Sequence, residues 1–417
     1  MLRQTLVRVL LGFTLAASAM GKPPIFEELP FEEAREKAIE SGKLLIVDAT
    51  ATWCGPCKNM DRVTWVDKGL VSEIEERAIA IQFDVDELPE LAERLAAEHL
   101  PTIIVFRDGQ EFDRIVGFRT PAQMSEWLAG VARGISSLET LQERAQKKTS
   151  AGKFDVRARL DYARGLLYNA RDEAATDEYT WLWEHMLEHN PAMKGVRRSF
   201  VASEMGSLAQ RSDKAREVFT ALRDATQERL ETSGGVDELK DWIVLNRVID
   251  DGDATLGWVD RTLGKEGGAQ TVRGVEFMLD DLLIDHGRYD VVGRLVEDSV
   301  GAFEGNLSLA RRAGTSLAAR MLGADGRVRL RESSLTQFRS RVSTLHAALL
   351  ASGRYDEGWR VLTLSLDGDD SIPMRAEIVR RAHAAGVMGP RHLALLSAGI
   401  PEHEEVLEEI AEGENGE

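Results

Sequence analysis

Between residues 20 and 135 the spacing of apolar positions switches repeatedly between two periods. Pro30 to Ser41 carries apolar residues at helical spacing behind an acidic first turn, which predicts a helix. Lys43-Leu44-Leu45-Ile46-Val47-Asp48 is instead a continuous apolar run, the pattern of a strand covered on both faces. Helical spacing resumes after Pro56. Ala78 to Phe83 predicts a second buried strand, Pro89 to Ala97 a short helix opened by proline, and Thr102 to Phe106 a third strand. Asp108-Gly109 followed by Phe112 to Gly117 is a hairpin signal, and Pro121 to Val131 predicts a closing helix. From the first strand onward the order is β-α-β-α-β-β-α, an α/β unit over residues 20–135 with helices on the faces of a central sheet.

The texture changes at Gly134-Ile135-Ser136-Ser137, after which helical spacing dominates. Gly287-Arg288-Tyr289-Asp290 recurs as Gly353-Arg354-Tyr355-Asp356, each copy behind an apolar helix. The glycine suits a helix C-cap and the tyrosine is expected to pack between the helices of a hairpin. Ser212-Asp213-Lys214-Ala215 is a weaker relative. The pattern resembles degenerate tetratricopeptide-like repeats, so residues 136–400 are expected to form an all-α helical-repeat domain. Pro401 to Glu417 holds eight glutamates and is expected to be a frayed acidic tail.

A chain of 417 residues accommodates two or three domains, and 43% hydrophobic with 29% charged residues supports real cores rather than disorder. The net charge of −18 has the wrong sign for phosphate contacts, which argues against nucleic acid and anionic membrane surfaces as partners. Arg3 and Arg8, the apolar run Val9 to Leu15 and Ala17-Ser18-Ala19 read as a signal peptide over residues 1–19. The apolar stretch before Lys22 falls short of the span a membrane helix needs. The mature protein is therefore expected in a periplasm or outside the cell, without membrane insertion.

Exported proteins usually use cysteines in pairs as structural bridges. This chain has two, Cys54 and Cys57, and a bridge closing so short a loop removes little entropy from the unfolded state. Redox chemistry is the better reason for them. In Trp53-Cys54-Gly55-Pro56-Cys57 the motif follows a buried strand and opens a helix, where free N–H groups and the helix dipole favour a thiolate on Cys54. Gly55 and Pro56 make the turn that places Cys57 one helical turn on. Cys54 is expected to be exposed and to attack, and Cys57 to resolve. No cofactor and no metal are required. A zinc half-site lacks a second cysteine pair or suitably spaced histidines.

Residues up to about 135 resemble the thioredoxin superfamily in more than this motif. The resemblance implies that Asp48, six residues before Cys54, is the buried carboxylate assisting deprotonation of Cys57. It implies that Leu100-Pro101-Thr102 is the loop whose proline is cis against the active-site sulfurs, and that Gly117 is the substrate-groove glycine. The implied substrate-contact set is Trp53, Gly55, Pro56, Leu100, Pro101 and Gly117. The segments Phe31-Glu32-Glu33-Ala34, Lys58-Asn59-Met60-Asp61 and Asp84-Val85-Asp86 look like the periplasmic domain of transmembrane thiol:disulfide interchange reductases. Gly-Pro between the cysteines departs from that group and suits a reducing potential of about −270 mV. The implied activity is that of a protein-disulfide oxidoreductase acting on disulfide or dithiol client proteins and recharged by a membrane electron donor. The alternative is a helical-repeat binding scaffold or holdase-like adaptor whose redox pair is incidental or regulatory.

Three other signals carry less. His185-Met186-Leu187-Glu188-His189 matches a five-residue metalloprotease pattern but reads more simply as two histidines in the last turn of a helix. Trp181 and Trp183 are expected in the core. Asp250-Asp251-Gly252-Asp253 and Asp367-Gly368-Asp369-Asp370 lack the rest of a calcium loop and read as solvated loops.

Overall fold

The computed structural model describes residues 22–150, 152–313, 324–397 and 400–414. The predicted signal segment, residues 1–19, lies outside them. The chain divides into two compact units, one ending at Ala225 and the other beginning at Thr226.

In the first unit, α1 (Phe31–Ser41) starts after Pro30 and stops at Gly42, whose φ of 63° reverses the chain. It leads into β1 (Leu44–Thr50). Then come α2 (Gly55–Val63), α3 (Lys68–Arg77), β2 (Ala78–Asp84), α4 (Pro89–Arg94), β3 (Thr102–Arg107), β4 (Gln110–Val116) and α5 (Pro121–Ala132). The sheet order is β2-β1-β3-β4. β1 pairs parallel with β2 and antiparallel with β3, and β3 and β4 form the expected hairpin through Asp108-Gly109. Both faces of the sheet are covered. Leu45, Val47 and Ala49 pack with Phe31 and Ala34 of α1, whereas Ile46 packs with Met60 of α2, Trp65, and Met124 and Trp127 of α5. The single helix expected after Pro56 is two, because Asp67 accepts bonds from the Gly69 and Leu70 amides and starts α3 afresh. The proline-led helix α4 ends at Arg94, shorter than expected.

The same unit continues into α6 (Ser137–Gln146), α7 (Val156–Tyr168) and α8 (Asp172–His189), and the region after α5 is mostly helical. Asp113 of β4 is buried and accepts from the Trp127 indole (2.7 Å) and from the amide (2.6 Å) and hydroxyl (2.7 Å) of Ser137, which ties the sheet to the first turn of α6. Trp183 is buried, but Trp181 is only partly so: it stacks on His189 and lies under the Arg159 guanidinium, a surface cluster rather than core.

The glycine repeat marks a local device used more widely than its two copies. Ala170, Asp250, Gly287, Gly353 and Gly386 all take positive φ after a helix. In each case the next residue's N–H bonds the carbonyl five residues back: Arg171 to Leu166, Asp251 to Asn246, Arg288 to Leu283, Arg354 to Leu349, Val387 to Ala382. Three of the five do not share the Gly-Arg-Tyr-Asp signature. Tyr289 is buried as expected, whereas Tyr355 is 62% exposed. Gly358 brings its helix hard against Leu350, and the ring stays outside. The expected frayed tail is a helix, Pro401–Glu414, with His403, Val406 and Ile410 buried along one stripe and Glu402, Glu404, Glu405, Glu408 and Glu409 exposed. No described helix is long and apolar enough to cross a membrane.

Candidate functional site

The Cys pair sits where β1 meets α2. Cys54 is the N-cap of α2, and its Sγ accepts the Cys57 amide at 3.2 Å, so a donor of the helix's first turn points at sulfur. The two form a disulfide with Cα atoms 5.3 Å apart. Gly55 and Pro56 lie exposed at the mouth of the turn. The expectation of an exposed Cys54 is not met, since Cys54 is 3% and Cys57 2% exposed. In the disulfide both sulfurs are drawn into a small apolar cluster with Ala51, Val85 and Leu100.

Trp53 is 68% exposed yet anchored, its indole N–H donating to Asp86 at 2.8 Å. Asp84 accepts the Thr52 amide and the Asp86 amide, both at 2.9 Å. The loop after β2 therefore holds the approach to the motif. The Leu100–Pro101 peptide is cis, as the resemblance implied, and the Gly117 amide donates to the Pro101 carbonyl at 2.8 Å. Gly117 has φ of 91°, a conformation that favours glycine. Leu100, Pro101 and Gly117 thus share one corner, with Leu100 against the sulfurs.

Asp48 lies on β1 with the same facing as Ile46, toward α2, and is 2% exposed. Its register partner on β2 is Gln82, whose side-chain amide donates to Asp48 Oδ2 at 2.9 Å and to Asp61 Oδ1 of α2 at 2.9 Å. Burial pushes the Asp48 carboxyl up to about 7, against the Gln82 bond, with the nearby Asp61 charge raising it further. The Trp65 indole favours the charged form slightly, though neither its N–H nor Asp48 Oδ1 completes a hydrogen bond of normal geometry. Asp61, half-buried, is raised for the same first reason. A carboxyl that exchanges its proton near neutrality can serve as acid and as base.

Gln82 is the residue that the sequence reading missed. Its signal was a lone polar side chain in the apolar run Ala78 to Phe83, two residues along from Ala80 on the face that Asp48 shares. Asp61 stands one turn after Cys57 but acquires its place only through Gln82.

The model of the Thioredoxin family matches residues 28–130. A thioredoxin H-type from Fagopyrum esculentum is 39% identical over 92 residues, 21% of this chain and 73% of that protein. A thioredoxin from Staphylococcus aureus is 40% identical over 93 residues, 22% of this chain and 86% of its own length. The chain belongs to the thioredoxin family. A crystal structure of poplar thioredoxin h is 27% identical, with 24% of this chain and 86% of that one covered and a TM-score of 0.21. With a thioredoxin domain and a disulfide-forming Cys54–Cys57 pair, the protein is a thiol–disulfide oxidoreductase. The helical remainder lies outside these matches.

The other sequence signals do not assemble a site. His185 Nδ1 lies 3.4 Å from Glu188 and His189 stacks on Trp181. Asp251 caps the helix starting at Gly252, Asp369 pairs with Arg339 and Asp370 with Arg375. Among the described residues no three His, Cys, Asp or Glu side chains are placed to hold a metal.

Proposed function

We propose that this oxidoreductase is exported and reduces disulfides in client proteins, with the helical region recruiting the clients and a membrane dithiol donor recharging the pair. The observation that carries the chemical part is the Cys54–Cys57 disulfide at the start of α2, preceded on β1 by a buried carboxyl pushed up to about 7. In the reduced protein the Cys54 thiolate attacks a client disulfide, forming a mixed disulfide and expelling one client thiolate. Cys57 then gives its proton to Asp48 and attacks Cys54 Sγ, which closes the Cys54–Cys57 bond and releases the second client thiolate. Two electrons pass to the client, and the donor must return them. Trp53, Gly55, Pro56, Leu100, Pro101 and Gly117 form the rim against which the client backbone rests. Export is supported by the basic, apolar and small-residue order of residues 1–19.

The test combines equilibrium and trapping. The Cys54–Cys57 couple, equilibrated against graded dithiothreitol and followed by Trp53 fluorescence, is expected near about −270 mV. A value above about −180 mV would instead assign an oxidant or isomerase. Cys57→Ser should accumulate client mixed disulfides in the envelope fraction, and Cys54→Ser should trap none. Capture that persists in Cys54→Ser would return the chain to a scaffold role.

A further inference from the structure

Away from the cysteines, a cavity of about 610 Å³ opens between β4 and α5 on one side and α6, α7 and the helix Ala202–Arg211 on the other. Its size is that of a small-molecule site. In a chain of net charge −18 its lining is reversed in sign, with five arginines against three carboxylates. Three of the arginines are committed: Arg114 to Glu111 (2.6 and 2.7 Å), Arg144 to Glu126 (3.0 Å) and Arg164 to Glu204 (2.7 Å). Arg119 is different. It is half-buried, and the hydrogen bonds of its Nη1 go to the carbonyls of Phe118 (3.0 Å) and Gly117 (3.4 Å), not to a carboxylate. Burial pushes its pKa down, and the nearby Asp161, whose own carboxyl is pushed up by burial, offsets this only in part. Ile115, Trp127 and Leu141 supply an apolar wall beside these charges.

A guanidinium short of a counter-ion, in a cavity with apolar walls, selects an anion that brings an apolar body with it. We propose that this cavity binds a carboxylate carried on an apolar stem, with Arg119 as its anchor, either a free organic acid or the C-terminal residue of a peptide. Inorganic phosphate supplies the charge without the stem and binds more weakly. The site also adjoins the redox corner: Arg119 holds the Gly117 carbonyl, and the Gly117 amide holds Pro101. Binding itself does not depend on the redox reading.

The test is calorimetric titration of the full chain with adipate, and with an acetylated tetrapeptide ending in leucine as free acid or as amide. Saturable binding of adipate assigns a free acid. Binding of the peptide that is lost on amidation assigns a peptide C-terminus. In either case Arg119→Gln should weaken binding about tenfold or more, and Asp161→Asn, which removes a competing carboxylate, should tighten it several-fold. Should Arg119→Gln lose its far-UV circular dichroism, Asp161→Asn decides alone: tightening supports the assignment and an unchanged affinity overturns it. The proposal is also overturned if neither acid saturates, if the amide binds as well as the acid, or if phosphate binds as tightly as adipate. Cys54→Ser protein should bind with unchanged affinity, so failure of the proposed reductase role leaves this result standing.

Discussion

Asp48 shows what one buried carboxyl does to both stability and rate. Its folded value of about 7 stands far above the ordinary 3.8, so the folded chain retains a proton that the unfolded chain gives up. Its stabilising contribution is complete below pH 3.8 and is lost as the pH rises through about 7. Asp48→Asn should therefore raise the unfolding free energy read from urea titration more at about pH 8 than at about pH 5, the full effect at high pH being at most about 4 kcal/mol. The same variant should slow release of the mixed disulfide, measured by stopped-flow, and flatten the rise of that rate across neutral pH. Gln82→Leu removes the bond that favours the charged form, and should move the wild-type pH profile to higher pH without abolishing it. Cys54 and Cys57 were legible in the sequence because their spacing is set within one turn at a helix start, whereas Asp48 and Pro101 were legible only through the resemblance to the thioredoxin superfamily. Gln82 and Asp61 were not, because a parallel register sets Gln82 beside Asp48, 34 positions away, and the packing of α2 on the sheet brings Asp61, 21 positions away, to the same amide. The burial of Cys54 was also out of reach, since Val85 and Leu100 come from two separate loops.

Elements report their constraints through glycine. A Cβ on Gly293, in the helix Tyr289–Leu295, would stand 2.0 Å from the Ala348 carbonyl oxygen on the helix Ala324–Ala351. Backbone cannot yield as a side chain does, so Gly293→Ala should cost about 1–3 kcal/mol in thermal unfolding. Gly305, inside the helix Ser299–Ala313, meets nothing within 4 Å. Gly305→Ala should stabilise by about 0.5–1 kcal/mol through backbone entropy and helix propensity. Equal effects of the two substitutions would contradict the close packing at Gly293. Composition alone misjudged the C-terminal helix: eight glutamates suggested fraying, but His403, Val406 and Ile410 recur at three and four residues and bury a stripe. Periodicity outweighs net charge there.

Across the whole molecule the two units should respond to acid in opposite directions. In the second, His346 Nδ1 donates to the Gly358 carbonyl (2.8 Å) and the Gly389 amide donates to His392 Nδ1 (3.1 Å). Those partners settle both tautomers, so His392 Nε2–H donates to His346 Nε2 at 2.9 Å. A further proton on His346 would set two N–H groups face to face. Burial accordingly lowers His346 from 6.5 to about 4. Its stabilisation is present above pH 6.5 and is lost as pH falls toward 4, by at most about 3 kcal/mol. Hydrogen exchange read by mass spectrometry should show protection falling from pH 7 to about 5 at Ala347–Leu350 and in the helix Tyr355–Gly368. The β1–β2 pair, carrying Asp48, should gain protection over the same range; loss in both units would refute the assignment of the two groups.

The sequence by itself determined the α/β order of residues 20–135, the helical character of the chain beyond residue 135, and the cysteine motif at a helix start. These depend on periodicity and on neighbours within a turn, which a linear chain already contains. Tertiary structure alone decided the Asp48–Gln82–Asp61 bridge, the sheltered disulfide, the His346–His392 pair and the arginine-lined cavity. Each joins residues whose separation is set by strand register and helix packing, and burial then gives those polar groups properties that they lack in water.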